Sequence, residues 1–555
     1  MKGFKLGRIG IFVGVIIAIA VLIVWISPKA NSQRPNPLPQ DPAIQVYFNH
    51  NLAKDADYTD PYRNIKRAGD NLEQIILDTL DKAESTIDLA VQELRLPLIA
   101  QALVKKQQAG VKVRIILENL YNQPIATGST AAGTDDNERT RDRREDYLAF
   151  VDLNQDGQLS LEEMQQRDAI TILRNSQIPV IDDTEDGSKG TGLMHHKFLV
   201  VDGKTVIVTS ANFTLSDQHG DYTRPDTRGN ANNLLILQSP ELAQYFTEEF
   251  NFMWGDGADG QKDSRFGINK PFRPTKTVTI GQTQVSVKFS PDSRKVDWSD
   301  TSNGLIAQTL SQAHQSVNLA LFVLSEQGLA DALQAQHQNG VAVKALIDPE
   351  FAYRPYSEGL DLLGVELTQN CRAELNNRPW SNPVQTVGIP NLPKGDKLHH
   401  KVGIIDNHLV IAGSHNWSDA ANRLNDETVL ILDNPVITAH YQREFDQLYQ
   451  QATLGIPDFV QAAIAKEKQT CGARSINSAQ PSSPVLSPSA SSNPLINMNT
   501  ASKDELESLP GVGSKLADRI IAARQEKPFT SLADLKRVSG IGDSKLQKLT
   551  GKVTW

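Results

Sequence analysis

Cysteine is nearly absent. Cys371 and Cys471 are the only two in 555 residues, too few for a disulfide scaffold or a cysteine-built zinc site. The chain also lacks the many apolar spans of a polytopic membrane protein, the periodic glycine of collagen and the low hydrophobicity of a disordered polymer. Hydrophobic residues make up 39% and charged residues 22%, an ordinary soluble-globular balance. An excess of positive charge is missing as well. The 56 Lys and Arg face 65 Asp and Glu, for a formal net charge of −9, which argues against a surface that binds nucleic acid all over. The length suggests about three or four domains.

What is present is local. Lys2, Lys5 and Arg8 precede an uncharged apolar run over residues 9–26. As a helix rising 1.5 Å per residue, these eighteen residues would extend about 27 Å, close to the hydrocarbon thickness of a bilayer. Residues 1–27 therefore read as a transmembrane signal-anchor. A cleaved signal peptide, which would leave the protein secreted, is the alternative, but the flank SPKANSQ has no clear A-x-A site. The basic flank places the N-terminus in the cytoplasm and everything after Pro28 outside the cell membrane. A proline-rich linker over residues 28–42 follows.

Repetition organises the middle of the chain. AESTIDLAVQEL (83–94) aligns with AHQSVNLALFVL (313–324), and AGVKVRIILE (109–118) with NGVAVKALID (339–348). Each unit alternates amphipathic helices with apolar strands, which predicts two homologous α/β lobes, residues 43–255 and 280–452. HHKFLVVDGKTVIVTSANFT (195–214) aligns with HHKVGIIDNHLVIAGSHNWS (399–418) at a shorter offset, so the first lobe carries an insertion.

The insertion, about residues 136–170, contains DLNQDGQLSLEE, a match to the twelve-position EF-hand loop. Calcium ligands would come from Asp152, Asn154, Asp156, the Gln158 carbonyl, Ser160 through water, and bidentate Glu163, with Gly157 at the turn. Lying outside the repeat, the site is expected to be structural.

The repeated motif H-x-K-x4-D-x6-[GT]-S-x-N carries the chemistry. It gives His195, Lys197, Asp202, Ser210 and Asn212, then His399, Lys401, Asp406, Ser414 and Asn416. Alternation along a strand puts His and Lys on one face. Two such pairs could enclose a phosphate: Lys as a point charge, Asn as a neutral donor, Ser as a hydroxyl donor. One histidine could attack while the other protonates the leaving oxygen, and each needs a carboxylate to fix its tautomer. His196 and His400 should face the opposite side, in a structural or substrate-margin role.

Both copies resemble the HKD signature of the phospholipase D superfamily, over roughly residues 43–452. The resemblance implies a two-step, metal-independent phosphodiesterase working through a covalent phosphohistidine. By analogy with family members His195 is the nucleophile and His399 the general acid, although the spacing alone does not order them. Asp202 and Asp406 match the family's aspartates. Two departures stand out. Thr209 replaces the glycine that is present as Gly413, and the family's downstream acidic residue appears as Glu427, opposite Asn233 in the first copy.

After a Ser/Pro/Ala-rich linker over 472–494, residues 495–555 hold two hairpins, PGVG and SGIG. They closely resemble the tandem helix-hairpin-helix module of bacterial competence-type DNA receptors. Gly511, Gly513, Gly540 and Gly542 would let backbone N–H groups approach a DNA phosphate, with Lys515 and Lys545 adding charge. This segment carries ten Lys/Arg and seven Asp/Glu, +3, which leaves −12 on the remainder. Such modules also mediate protein contacts. The leading expectation is a membrane-tethered nuclease holding DNA by its backbone. The alternatives are a phospholipase D acting on membrane phospholipid and a DNA receptor with a vestigial catalytic lobe. Pairing of Cys371 with Cys471 is left open.

Overall fold

The computed structural model describes residues 34–125, 138–188 and 192–471, apart from 259, 369–370, 372–373 and 375, together with much of 496–554. The expected anchor over 9–26 and the linker over 472–494 lie outside the described residues. Among those described, no helix is long and apolar enough to cross a membrane. The chain divides into two compact units, Met1–Ser475 and Ile476–Trp555.

The larger unit contains both expected lobes, each built on one mixed sheet. In lobe 1 the strands are β1 (Ile44–Phe48), β2 (Thr86–Val91), β3 (Lys112–Leu117), β4 (Val180–Asp182), β5 (Lys197–Val201), β6 (Thr205–Thr209) and β7 (Asn233–Gln238). Their order is β1-β7-β6-β5-β2-β3-β4. Lobe 2 repeats this with β8 (Lys276–Ile280), β9 (Thr283–Ser290), β10 (Ser316–Leu321), β11 (Ala342–Ile347), β12 (Val387–Ile389), β13 (Lys401–Ile405), β14 (Leu409–Gly413), β15 (Glu427–Asp433) and β16 (Thr453–Leu454), in the order β8-β9-β15-β14-β13-β10-β11-β12-β16. The parallel pairs β2–β3 and β10–β11 are joined by the crossover helices Pro97–Gln108 and Gln327–Gln338. Central strands such as β5, KFLVV, are buried throughout because both faces of the sheet are covered, which is why they read as continuous apolar runs.

One hydrophobic core is shared between the lobes. Val208, Leu235 and Phe246 of the first join Val287, Leu430 and Phe445 of the second. Truncating one such phenylalanine to alanine costs about 3–5 kcal/mol, so the inner faces of the lobes are mutually dependent. Each lobe also has an outer core of its own. A disulfide joins Cys371 to Cys471, 100 residues apart, and so ties the helix Asp458–Cys471 to lobe 2.

The insertion forms a helix–loop–helix. Helix α1 (Glu138–Val151) precedes the acidic loop and helix α2 (Leu161–Arg167) follows it. Ser160 and Glu163 make a reciprocal capping box at the start of α2, satisfying two of the N–H groups that a helix start leaves free. Tyr147, Phe150 and Val151 pack α1 into the outer core of lobe 1. Arg143 pairs with Glu93 at 3.0 Å, while Asp146 accepts from the Tyr222 and Thr223 amides at 3.0 and 2.7 Å.

In the smaller unit, helix Ser514–Glu526 packs on Leu506, Phe529, Leu535, Ile541 and Leu549. Gly540 has φ of +100°, a backbone conformation that glycine adopts freely. Gly542 has open space where a Cβ would stand. Gly511, Gly513 and Lys545 lie outside the described residues, as does the side chain of Lys515.

Candidate active site

Each motif histidine lies two residues before a strand, β5 or β13, at a seam between the lobes. The His195 N–H donates to the Asp426 carbonyl at 3.0 Å, and the His399 N–H to the Ala231 carbonyl at 3.0 Å. Asp426 N donates back to Leu193 O at 2.9 Å, and Ala231 N to Lys397 O at 2.7 Å. Short parallel bridges thus hold each histidine against the opposite lobe.

The carboxylate partner crosses the same seam. His195 Nδ1 lies 2.7 Å from Glu427 Oε2; donating its Nδ1–H there leaves Nε2 as the free nitrogen. Glu427 also accepts from Ser414 Oγ at 2.7 Å and from Asn425 Nδ2 at 3.2 Å. On the other side His399 Nδ1 lies 3.0 Å from Asn232 Oδ1, which Ser210 Oγ also approaches at 2.7 Å. The two motif serines therefore give their hydroxyl protons to the histidines' partners, not to the phosphate-facing role that their spacing predicts.

Strand register corrects one expected equivalence. Thr209 pairs with Leu234, and its counterpart Gly413 pairs with Val429, so Asn232, not Asn233, stands opposite Glu427. Asn233 instead donates through Nδ2 to His400 Nδ1 at 3.1 Å. His196 and His400 are buried beneath the site, where Glu249 and Glu444 meet their Nε2 atoms at 3.4 Å. Both rings are buried among protein partners, at 0% and 1% exposure. Thr209 is accommodated because its hydroxyl donates to Asn233 O at 2.6 Å. At Gly413, φ is +128° and a Cβ would sit 2.2 Å from Thr428 O.

Lys197 Nζ donates to the His195 carbonyl at 2.9 Å, and Lys401 Nζ to the His399 carbonyl at 2.8 Å. Phe322 stacks edge-on against His399 with ring centroids 4.9 Å apart, and Lys401 Nζ lies 4.8 Å from its centroid. Asn212 Oδ1 and Asn416 Oδ1 are buried without a hydrogen-bond partner; a phosphate oxygen would have to be met by the Nδ2 groups of these side chains.

Asp202 and Asp406 do not join this group. Each opens a tight hairpin in which two successive residues have positive φ: Asp202 and Gly203 at 52° and 59°, Asp406 and Asn407 at 51° and 54°. This is the turn geometry that suits the twist of paired strands, and it favours Asp, Asn and Gly. The Asp202 carboxylate accepts from the amides of Glu84, Ser85 and Thr86 at 2.7–2.9 Å, and Asp406 from those of His314, Gln315 and Ser316 at 2.7–2.8 Å. These bonds pin the hairpin to the chain entering β2 or β10.

Burial governs the site's protonation. It pushes both lysines down, reinforced at Lys401 by the Lys197 charge: Lys197 to about 8 and Lys401 to about 7. Burial, then Lys197 and Lys401, holds both histidines well below the usual imidazole range. Burial also raises the Glu427 carboxyl. An entering phosphodiester anion would relieve the crowded cations and favour their protonated forms.

Comparison with known proteins agrees with this geometry. A family model described as "cardiolipin synthase, PLD-like domain" matches residues 76–254 and 306–449, more than half of the chain. The chain belongs to the phospholipase D superfamily. It is therefore a phosphodiesterase of the hydrolase class. The mitochondrial cardiolipin hydrolase of Xenopus laevis is 25% identical over 187 residues, which cover 33% of this chain and 79% of that relative. Six further mitochondrial cardiolipin hydrolases are spanned over only 50–62% of their length. Among solved structures, the phospholipase D family member Nuc from Salmonella typhimurium aligns at 20% identity with a TM-score of 0.23, covering 40% of this chain and 99% of that one. Residues 491–554 match a helix-hairpin-helix motif. ComE operon protein 1 of Bacillus subtilis is 41% identical over 61 residues, 11% of this chain and 30% of that protein.

The motif search misses Asn232, Asn425, Gln92 and Phe322. The last two occupy equivalent places in the aligned repeats 83–94 and 313–324, and Gln92 Oε1 lies 3.4 Å from Lys197 Nζ. His415 is missed too. It is 2% exposed, and burial pushes its imidazole down to about 4.

Proposed function

We propose that the protein is a membrane-tethered nuclease that cleaves DNA phosphodiester bonds through a covalent phosphohistidine. The observation that carries the reading is one chain holding two facing His–Lys pairs together with a C-terminal segment of the helix-hairpin-helix family. In the first step His195 Nε2 attacks phosphorus, and Glu427 stabilises the positive charge that grows on the ring. His399 gives a proton to the leaving oxygen, then takes one from the water that releases the phosphoryl group. Lys197, Lys401, Asn212 and Asn416 hold the non-bridging oxygens. The tail would grip the DNA backbone without regard to sequence, with an affinity that falls as salt rises. Residues 9–26 would hold the chain in the cell membrane with the catalytic part outside, and the Cys371–Cys471 bond suits such an oxidising compartment.

Phospholipid is the second reading, favoured by the family description and by the cardiolipin hydrolases among the relatives. Purified residues 34–555 should be assayed side by side on single-stranded DNA, duplex DNA, cardiolipin vesicles and a small chromogenic phosphodiester. Deleting residues 496–555 should slow cleavage of long DNA and spare the small ester. Equal loss on both would defeat the tethering idea. Release of phosphatidic acid with DNA left intact would favour the phospholipase.

The acidic loop is proposed to bind calcium in a structural role. Its donor set is all oxygen, and Gly157 adopts φ of +80° at the sixth position. In the structure Asp152 and Asn154 accept from the Asp156 amide, and Glu163 from those of Leu153, Asn154 and Ser160. These backbone bonds keep the Glu163 carboxyl near 2, well below the usual glutamate range. Among the described residues no group of three or more His, Cys, Asp or Glu side chains is already gathered for a metal. Calcorimetric titration with calcium, wild type against Asp152→Ala with Glu163→Ala, tests it; equal heats would remove the calcium assignment.

A further inference from the structure

The site is not symmetric, and the asymmetry is compensated. In lobe 2 the residue that reaches across to the other lobe's histidine is a carboxylate, Glu427. Its register-equivalent in lobe 1, Asn232, is a neutral amide. A charge has therefore been lost beside His399. A second carboxylate stands close by: Asp217 Oδ1 is 3.5 Å from His399 Nδ1.

Asp217 lies in the short helix Leu215–Gln218, capped by Thr214, whose side chain accepts from the Asp217 amide. Its counterpart in lobe 2 is the helix Asp419–Arg423, where Ser418 accepts from the Ala421 amide. The equivalent positions thus read Asp217 with Asn232 in lobe 1 and Ala421 with Glu427 in lobe 2. The carboxylate has moved from the strand to the helix.

Asp217 is well placed to act through its neighbour. It is 4% exposed. Its Oδ1 accepts from Asn232 Nδ2 at 3.2 Å and from Asn230 Nδ2 at 2.8 Å. Its Oδ2 accepts from the backbone N–H of the motif residue Asn212 at 3.2 Å and from Thr214 Oγ1 at 3.3 Å. Asn232 is thereby fixed with its amide group on Asp217 and its carbonyl oxygen on His399. We infer that Asp217 is the positioning carboxylate of His399: it sets the Asn232 orientation that holds the ring, and supplies the negative charge that Asn232 lacks. This inference rests on the reading of His399 as the group that gives and takes the leaving-group proton. Around His399 stand the cationic groups Lys401, Lys197 and Lys397 and the ring of His195, and the buried carboxylate Asp348 accepts from the neighbouring Leu398 amide at 2.8 Å. Asp217 Oδ1, 3.5 Å from Nδ1, is the carboxylate oxygen placed against the ring itself, and its charge reaches His195 as well.

The test transplants one lobe's arrangement onto the other, with a small chromogenic phosphodiester as substrate. Asp217→Asn should lower kcat roughly tenfold to a hundredfold with little change in KM, and should move the basic limb of the kcat–pH profile to lower pH. The double variant D217A/N232E, which copies Ala421 and Glu427, should recover most of the activity lost in D217A. A D217N enzyme within about threefold of wild type with an unmoved profile would overturn the inference. So would a folded D217A/N232E no faster than D217A. If His399→Ala keeps wild-type activity, the underlying role of His399 fails, whatever Asp217 does.

Discussion

Replacing Glu427 by Gln isolates the charge that crosses from lobe 2 to His195. Gln keeps the side chain's length, and its carbonyl oxygen can accept from His195 Nδ1–H or from Ser414. The main loss is therefore electrostatic. The carboxylate oxygen lies 2.7 Å from Nδ1, with Glu427 fully buried. For charge centres ~4 Å apart at an effective dielectric of ~20, the attraction is ~4 kcal/mol. Only part of the imidazolium charge has developed in the transition state, so about 3 kcal/mol is the expected loss, roughly 10²-fold in kcat at 1.36 kcal/mol per decade. Glu427 also holds up the protonated form of Lys197, so KM for an anionic ester should rise. Steady-state hydrolysis of bis(p-nitrophenyl) phosphate, with melting temperature as the folding control, reads both effects. A kcat within about threefold of wild type in a normally folded variant would refute the pairing as a source of catalysis.

Asp202→Ala should behave in the opposite way: a loss of stability of about 1–2 kcal/mol from the unmade amide bonds, with kcat nearly unchanged. The Asp202 carboxyl is lowered to about 2 from 3.8. Its contribution is therefore fully present above pH 3.8 and fades as pH falls towards 2, which acid melting curves of the two proteins would show. In the free enzyme kcat/KM should fall on the basic side as Lys401, near 7, and Lys197, near 8, lose their charge. The same depressed lysines make the empty protein gain stability as pH rises from about 7 towards 10.5, because the unfolded chain retains protons that the folded one has shed; a melting temperature that falls over this range contradicts their burial as cations. Replacing Cys371 and Cys471 by Ser should cost about 2–4 kcal/mol, and two titratable thiols in the oxidised wild-type protein would show that the bond does not form.

The elements that sequence reading captured are those with local signatures. The two lobes follow from the apolar strands of the repeat, and His195, Lys197, His399 and Lys401 follow from strand alternation. What it missed depends on contacts between distant segments. Asn233 seemed to match Glu427 because lobe 1 has a longer loop between Asn212 and the next strand, and the gap in the alignment can be placed one residue either way. Only the hydrogen-bonded register, Thr209 with Leu234, resolves it. Asp217 belongs to no motif, and its 3.5 Å approach to His399 crosses from one lobe to the other. Asp202 and Asp406 stand beside the histidines in the motif yet serve the hairpin turns, so membership of a spacing pattern did not reveal a shared place in space.

The crossed pairing also sets when the site can assemble. His195 is separated from Glu427 by 232 residues, and Asn232 from His399 by 167. Neither lobe is complete: in the first to emerge from the ribosome, His195 lacks its carboxylate Glu427 and Asn232 lacks its histidine His399. At about 5–20 residues per second, the interval between the synthesis of His195 and of Glu427 is about 12–46 s. Throughout that interval the growing chain holds His195 without the carboxylate that meets its Nδ1. The paired site can therefore assemble only after the second lobe has been made.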